Sequence, residues 1–529
     1  MRRGAAAFLS ILAAAGTAPL GAGAPMRVAS APIVPAAAAR VEGNGIRIEF
    51  DRSLHSRVVA TLGGGETVLG PFAASESVSG GGVEVGDFAF SGQDAQRVRD
   101  DPGPGRRWLL SGLARGLRKT VSVTAYDDFP GLAVFQVRYT NEGRDEVTIA
   151  GWTNNRYLIA AAGSGGGPAF WSYQGGSYES RPDWVLPLKV GFARDNFQGM
   201  NASDYGGGTP IVDVWRRDVG LAVGHLELTP REVSLPVAMP ARSHASMAVN
   251  RRGEVRLGPG RTLETLRTFV AVHRGDHFQP LALYRRLMIR QGVAFASSPP
   301  AAYEPIWCAW GYGREFTPEQ VTRTLPVARR LGLSWATLDD GWQVAEGDWV
   351  PQPGKFPRGG ADMKALVDAV HAEGLRAQLW WAPLAADPGT ELLRERPDQL
   401  LLNRAGAARK ISWWESLYLC PAYGAVRTDA RAFVRKALGE WGFDGLKIDG
   451  QHLNGAPPCH NPAHGHRSPE DSVEGMPGFF RAVYEAAVET KPDAVVEICP
   501  CGTAYSFFTL PYLNMAVASD PTSSWQVRL

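Results

Sequence analysis

Aspartate is a poor strand former, so an Asp set directly after a short apolar run needs a reason. The chain has three such endings. Ser334-Trp335-Ala336-Thr337-Leu338 runs into Asp339-Asp340-Gly341-Trp342, Gly445-Leu446-Lys447-Ile448 into Asp449-Gly450, and Asn514-Met515-Ala516-Val517-Ala518 into Ser519-Asp520. Turn chemistry explains one such Asp. Three endings, one of them doubled, point to carboxylates facing a shared ligand. Paired carboxylates with no evident metal-ligand pattern do proton and nucleophile work. One attacks or stabilises a developing cation while the other delivers and retrieves a proton, the logic of glycoside hydrolysis. Trp307, Trp310, Trp342, Trp380 and Trp381 sit at or near strand ends. Their flat faces could stack on sugar rings, with about half of them expected to serve as core instead.

The elements that must position these residues follow from the rhythm of the chain after Tyr303. Short apolar strands begin at Ile306, Ser334, Arg376, Gly445, Ala494 and Asn514. Helical patterns lie between them, near Pro318 to Arg330, Ala361 to Glu373, Thr428 to Trp441 and Gly475 to Thr490. Thr317-Pro318-Glu319-Gln320 supplies the first helix with an N-cap, a Pro at its first position and an acidic first turn. Strand and helix repeating in this way predict a (β/α)8 (TIM) barrel, in which polar residues just past a strand's carboxyl end face the site. Six strands leave two repeats missing, so the barrel, residues 303–529, reads as truncated after its sixth strand and the chain as a fragment. Upstream, period-two alternation broken by Gly, Pro, Asn and Asp predicts an antiparallel β-sandwich over residues 25–277. Residues 278–302 read as a connecting helix and linker.

Composition narrows the partners. With 529 residues, 44% hydrophobic and 20% charged, the chain is a multidomain globular protein. A net charge of +2 without a long like-charge run disfavours nucleic acid. No apolar stretch is long enough for a bilayer span, so no membrane partner is expected. Arg2 and Arg3, an apolar run from Ala5 to Ala15 and Ala22-Gly23-Ala24 read as a signal peptide over residues 1–24, which implies export to the periplasm or medium. Five cysteines cannot all pair internally, and their sparseness argues against a disulfide framework. Cys459-His460-Asn461-Pro462-Ala463-His464-Gly465-His466 matches no standard zinc spacing. It is read as an active-site loop contacting substrate or solvent, with a metal clip as the lesser alternative; no metal and no cofactor are expected. The expected partner is an oligosaccharide or glycoside, and a homo-oligomer stays open.

Trp307-Cys308-Ala309-Trp310, Leu338-Asp339-Asp340-Gly341-Trp342-Gln343, Leu446-Lys447-Ile448-Asp449 and Ala518-Ser519-Asp520 together resemble glycoside hydrolase family 36, the α-galactosidase and raffinose-synthase group. The resemblance extends to Tyr126-Asp127-Asp128-Phe129-Pro130-Gly131 upstream. It implies retaining cleavage of terminal α-galactosides, with Asp449 as nucleophile and Asp520 as acid/base. Asp339, Asp340 and Lys447 would hold sugar hydroxyls. Glu497-Ile498-Cys499-Pro500-Cys501-Gly502 is similar to a family segment near the C2 hydroxyl, which implicates Cys499 and Gly502. With Trp310, Trp342 and Trp381 these complete the expected substrate-binding set. Alternatives are a transglycosylase of the raffinose-synthase type and a catalytically silent carbohydrate-binding protein. The Asp-Asp-Gly-Trp-Gln and Trp-Cys-Ala-Trp forms lean toward the raffinose-synthase-like branch.

Overall fold

Alternating residues in Leu117–Tyr126 and Leu132–Asn141 put Val121, Val123, Phe135 and Val137 on one side, fully buried. These two strands pair antiparallel in the computed structural model, which describes residues 37–162, 167–176, 184–200, 206–411, 414–500 and 505–517. The signal-peptide expectation for residues 1–24 and the expected site residues Gly502 and Asp520 lie outside the described residues. Among the described residues, the N-terminal region is built from antiparallel sheets of four, ten and six strands. Their inner faces share one apolar core, with Ile48 and Phe50 from the first sheet, Val121 and Phe135 from the second, and Ile159 and Val249 from the third.

Helix α1 (Phe278–Arg290) follows and buries Leu283, Tyr284, Leu287 and Met288. These residues pack with Phe269 of the ten-stranded sheet and with Phe507 and Phe508. Arg231 and Arg251 extend from the N-terminal region to pair with Glu474 and Glu470. The C-terminal region is thereby tied to the N-terminal one by aromatic packing and by two ion pairs.

The C-terminal region is a parallel sheet curled into a half-barrel. Its strands β1 (Ile306–Cys308), β2 (Trp335–Leu338), β3 (Arg376–Trp381), β4 (Gly445–Asp449), β5 (Val495–Cys499) and β6 (Met515–Ala516) lie in chain order. Helices α2 (Pro318–Arg330), α3 (Gly360–Ala372), α4 (Gly424–Arg435) and α5 (Met476–Thr490) alternate with them. The N-cap expected at Thr317 is present and forms a full capping box: its hydroxyl accepts the Gln320 N–H, and the Gln320 side chain accepts the Thr317 N–H. Helix α4 starts four residues before the expected Thr428 and ends in a wider turn, Lys436–Glu440. Strand β1 is shorter than expected, because Ala309–Tyr312 wind into a tight turn.

Successive strand residues face opposite sides of a sheet. On the helix side, Ala336, Leu338, Leu379, Trp381, Leu446, Ile448, Val496 and Ile498 form one core with the helices. The concave side carries Trp335 and Val495 at the bottom, packed with Ala301 and Ala302. One step up, Thr337 donates to Gln378 (2.6 Å), whose amide donates to Glu497 (2.9 Å). This buried polar layer supports the residues at the carboxyl ends of the strands.

Candidate active site

Asp339, two residues beyond Thr337, continues the concave face of β2 and is buried. Its Oδ2 accepts from Lys447 Nζ at 2.7 Å and from the Cys308 thiol at 3.0 Å, and its Oδ1 accepts the Asp340 N–H at 2.9 Å. Strands β1, β2 and β4 thus meet at one carboxylate, across the intervening β3. Burial, the largest influence, and the adjacent Asp339 carboxylate push the Cys308 thiol up to about 12, so it stays a protonated donor. Burial alone would lower Lys447, yet attraction to Asp339 and Asp449 outweighs it and holds the lysine well above its ordinary range. The site therefore contains a fixed cation.

Asp449 ends β4 on the same face as Lys447 and lies opposite Cys499 in the parallel register. The indole Nε1 of Trp380 donates to its Oδ2 at 2.8 Å. Beyond it the chain turns sharply at Gly450 (φ 130°), where a Cβ would stand 2.3 Å from the His452 ring. A comparable demand shapes the Asp-Asp-Gly-Trp turn. Gly341 (φ 104°) passes so close to Arg314 that a Cβ would lie 2.5 Å from its carbonyl oxygen.

Asp340 leaves the strand and accepts from Gln343 Nε2 at 2.8 Å, with Arg314 Nε 3.4 Å from its other oxygen. Burial raises its carboxyl despite the Gln343 and Arg314 contacts. Glu497 is also raised, chiefly by burial, in spite of the Gln378 hydrogen bond and Lys447. The concave face thus combines one permanent cation with a cluster of carboxyl groups. That arrangement can accept hydrogen bonds from hydroxyls and present one anionic oxygen as a nucleophile.

The structure brings Asp339, Asp340, Lys447, Asp449 and Cys499 to the carboxyl ends of adjacent strands. Trp310 is 52% exposed on the turn after β1. Trp342 and Trp381 belong elsewhere, contrary to their expected place against substrate. Trp342 is fully buried, stacks on Phe433 of α4 at 6.1 Å, and donates its Nε1 to the Trp380 carbonyl. Trp381 lies 4.7 Å from Phe433 on the helix side of β3. Parity decides this, since Trp380 faces the concave side and its neighbour must face away.

Sequence reasoning missed a second acidic group beside Asp340. Arg314 Nη2 reaches Glu346 Oε1 at 3.4 Å. Burial first, and then the neighbouring Asp387 carboxyl, push Glu346 up to about 7. Asp387 accepts from Ser416 Oγ at 2.6 Å. Arg314 and Glu346 come from loops, Asp387 follows a strand of only two residues (Ala385–Ala386) outside the parallel sheet, and the doubled Asp339-Asp340 gives no spacing that points to them. Away from these groups, one donor atom from each of Cys420, Cys459, His464 and His466 lies within 4.8 Å of the others, a set able to hold a metal ion.

A melibiase family model matches residues 281–522. Among curated relatives, an A-type blood α-D-galactosamine galactosaminidase of Flavonifractor plautii is 30% identical over 509 residues, covering 92% of this chain and 46% of its own length. α-Galactosidase C of Emericella nidulans is 27% identical over 289 residues, covering 50% of this chain and 36% of its own length. The chain thus spans less than half the length of either relative. A family 36 α-galactosidase of Geobacillus stearothermophilus, solved as a variant with raffinose, has a TM-score of 0.58 at 16% identity, covering 92% of this chain and 76% of that one. The fold and these relatives define an α-galactosidase-like glycosidase class. Residues 281–522 match the melibiase family model and the relatives are α-galactosidases and a galactosaminidase, which together support a glycoside hydrolase family 36-like α-galactosidase family.

Proposed function

We propose that this chain carries a retaining exo-glycosidase site for terminal α-galactosides, with both working carboxylates, Asp449 and Asp520, supplied by the curled parallel sheet and the segment after it. Asp449 would attack the anomeric carbon and form a glycosyl-enzyme. Asp520 would protonate the departing oxygen and then deprotonate the incoming water. Retention asks for the two carboxyls to stand roughly 5–5.5 Å apart. Asp339, Asp340 and Lys447 would hold sugar hydroxyls, Cys499 would approach the C2 hydroxyl, and Trp310 would offer a face at the outer edge. The observation that carries this reading is the setting of Asp449: a strand-end carboxylate oriented by Trp380 Nε1 at 2.8 Å, two residues beyond the Lys447 that pairs with Asp339. Oligosaccharide substrates fit relatives solved with raffinose and stachyose. Export is proposed from the N-terminal residues 1–24 alone.

Asp449→Ala should lower hydrolysis of a chromogenic α-galactoside by at least about a thousandfold, and azide should restore turnover with release of the β-glycosyl azide. A first-formed sugar of β configuration, followed by NMR, would rule out retention. A second reading is favoured by the Flavonifractor plautii relative, which aligns with 92% of this chain. In it the sugar is an α-galactosaminide, whose ammonium would suit the acidic concave face. Comparing kcat/KM for matched galactose and galactosamine glycosides separates the two readings.

A further inference from the structure

Thiolate sulfur and imidazole nitrogen are the ligands that bind zinc most readily, and four of them around one point make a closed, structural site. Two stretches far apart in sequence supply such a set here. Cys420 follows the short strand Ser416–Tyr418 and precedes α4, while Cys459, His464 and His466 belong to the long loop after Asp449. Cys420 Sγ lies 3.3 Å from His466 Nε2, and Cys459 Sγ lies 3.3 Å from His464 Nδ1. Zinc–sulfur bonds of about 2.3 Å and zinc–nitrogen bonds of about 2.0–2.1 Å place donors roughly 3.3–3.8 Å apart in a tetrahedron. The set is therefore within a small adjustment of that geometry.

The surroundings match what a metal needs of its ligands. His464 Nε2 lies 2.6 Å from the Asp398 carbonyl, which makes Nε2 the protonated nitrogen and leaves the Nδ1 lone pair aimed at the cluster. The ring stacks on Tyr423 at 4.3 Å, and Tyr423 donates to the Asp398 carboxylate. Backbone N–H groups of Ala422 and Tyr423 face the Cys420 sulfur, and those of Asn461 and Leu402 face the Cys459 sulfur. Such donors stabilise thiolates. Asn461 pins the loop by donating to the carbonyls of Asp398 and Leu400. Both cysteines are buried.

We propose that Cys420, Cys459, His464 and His466 bind a structural Zn2+ that clips the loop following Asp449 to the segment preceding α4. Binding releases the two thiol protons to solvent and leaves two thiolates, two neutral imidazoles and one dication, a site of zero net charge. With all four positions filled by protein, the ion has no open position for water and takes no part in the reaction. Its effect is mechanical: the clipped loop includes His452 and Gly455, whose carbonyls accept from Tyr418 Oη.

The test is metal analysis of the full chain produced with zinc in the medium. About one zinc per chain is expected, with a melting temperature that falls on chelation and recovers when Zn2+ is returned. Replacing zinc by Co2+ should give the intense visible bands of a tetrahedral site and a near-ultraviolet thiolate-to-cobalt band. Cys420→Ser and His466→Ala should each reduce zinc retention at least tenfold. Because those variants could fail to fold, the cobalt spectrum of the unaltered chain stands as an independent readout. Zinc well below one per chain, octahedral cobalt bands, or an intact mass two hydrogens light from a Cys420–Cys459 disulfide would each overturn the proposal.

Discussion

Two lysines withdrawn from solvent, one fully buried in the N-terminal region and one partly buried in the C-terminal region, meet opposite fates. Lys119 is fully buried in the N-terminal sheets, where its Nζ donates to the carbonyls of Leu54 (3.3 Å) and Glu76 (3.0 Å) and lies 4.7 Å from the Phe88 ring centroid. Burial, the largest influence, pulls it down to about 8 against the attraction of Glu76, Asp51 and Asp87. Lys447 also loses solvent, but a carboxylate at 2.7 Å, with Asp449 nearby, more than offsets that loss and raises it. A core lysine satisfied mainly by carbonyls gives up part of its hold on the proton. A site lysine with an anion in contact keeps it through the working pH range.

Breaking the site pair should have the largest effect. Lys447→Met leaves Asp339 without its counter-charge and should cost about 4 kcal/mol in chemical denaturation, along with most activity. An unchanged denaturation midpoint would mean that the pair contributes nothing. Lys119→Met tests the other side of the contrast. Since its folded value of about 8 lies below the ordinary 10.5, the unfolded chain binds more protons in that window. The unaltered protein should therefore gain stability as pH rises from about 8 to 10.5, by about 3 kcal/mol, and the Met variant should lack this slope.

Glu346 runs the opposite way. Its folded value of about 7 lies above the ordinary 4.5, so its contribution is full below pH 4.5 and is lost as pH rises through 7. Glu346→Gln should remove about 2 kcal/mol of that decline, a figure reduced for partial solvent screening. Parallel profiles for the two proteins would exclude this assignment. The smallest effect is expected from Trp380→Phe, which deletes the N–H bound to Asp449. It should cost about 1.5 kcal/mol, read as a roughly tenfold drop in kcat with KM little changed.

The strands that carry Asp339 and Asp449 were legible because each is a short apolar run stopped by a polar turn. The capped start of α2 was legible from four residues at Thr317. Trp381 was misplaced because aromatic character alone does not tell the helix side of β3 from its concave side, and Trp342 because it lies on a turn beyond β2 where strand parity gives no direction. Glu346 and Arg314 were invisible because loops obey no period, and Asp387 because the strand before it is only two residues long. The metal-ligand spacing failed for a related reason. The fourth donor, Cys420, lies 39 residues before Cys459, across helix α4 and strand β4.

Local patterning by itself determined where strands and helices fall, and which carboxylates end strands, since both follow from side-chain periodicity and turn chemistry between near neighbours. Which groups share a proton, which lysine keeps its charge and which sulfur meets which imidazole were decided only by the tertiary structure. Those outcomes depend on distance and desolvation between residues that the chain keeps far apart.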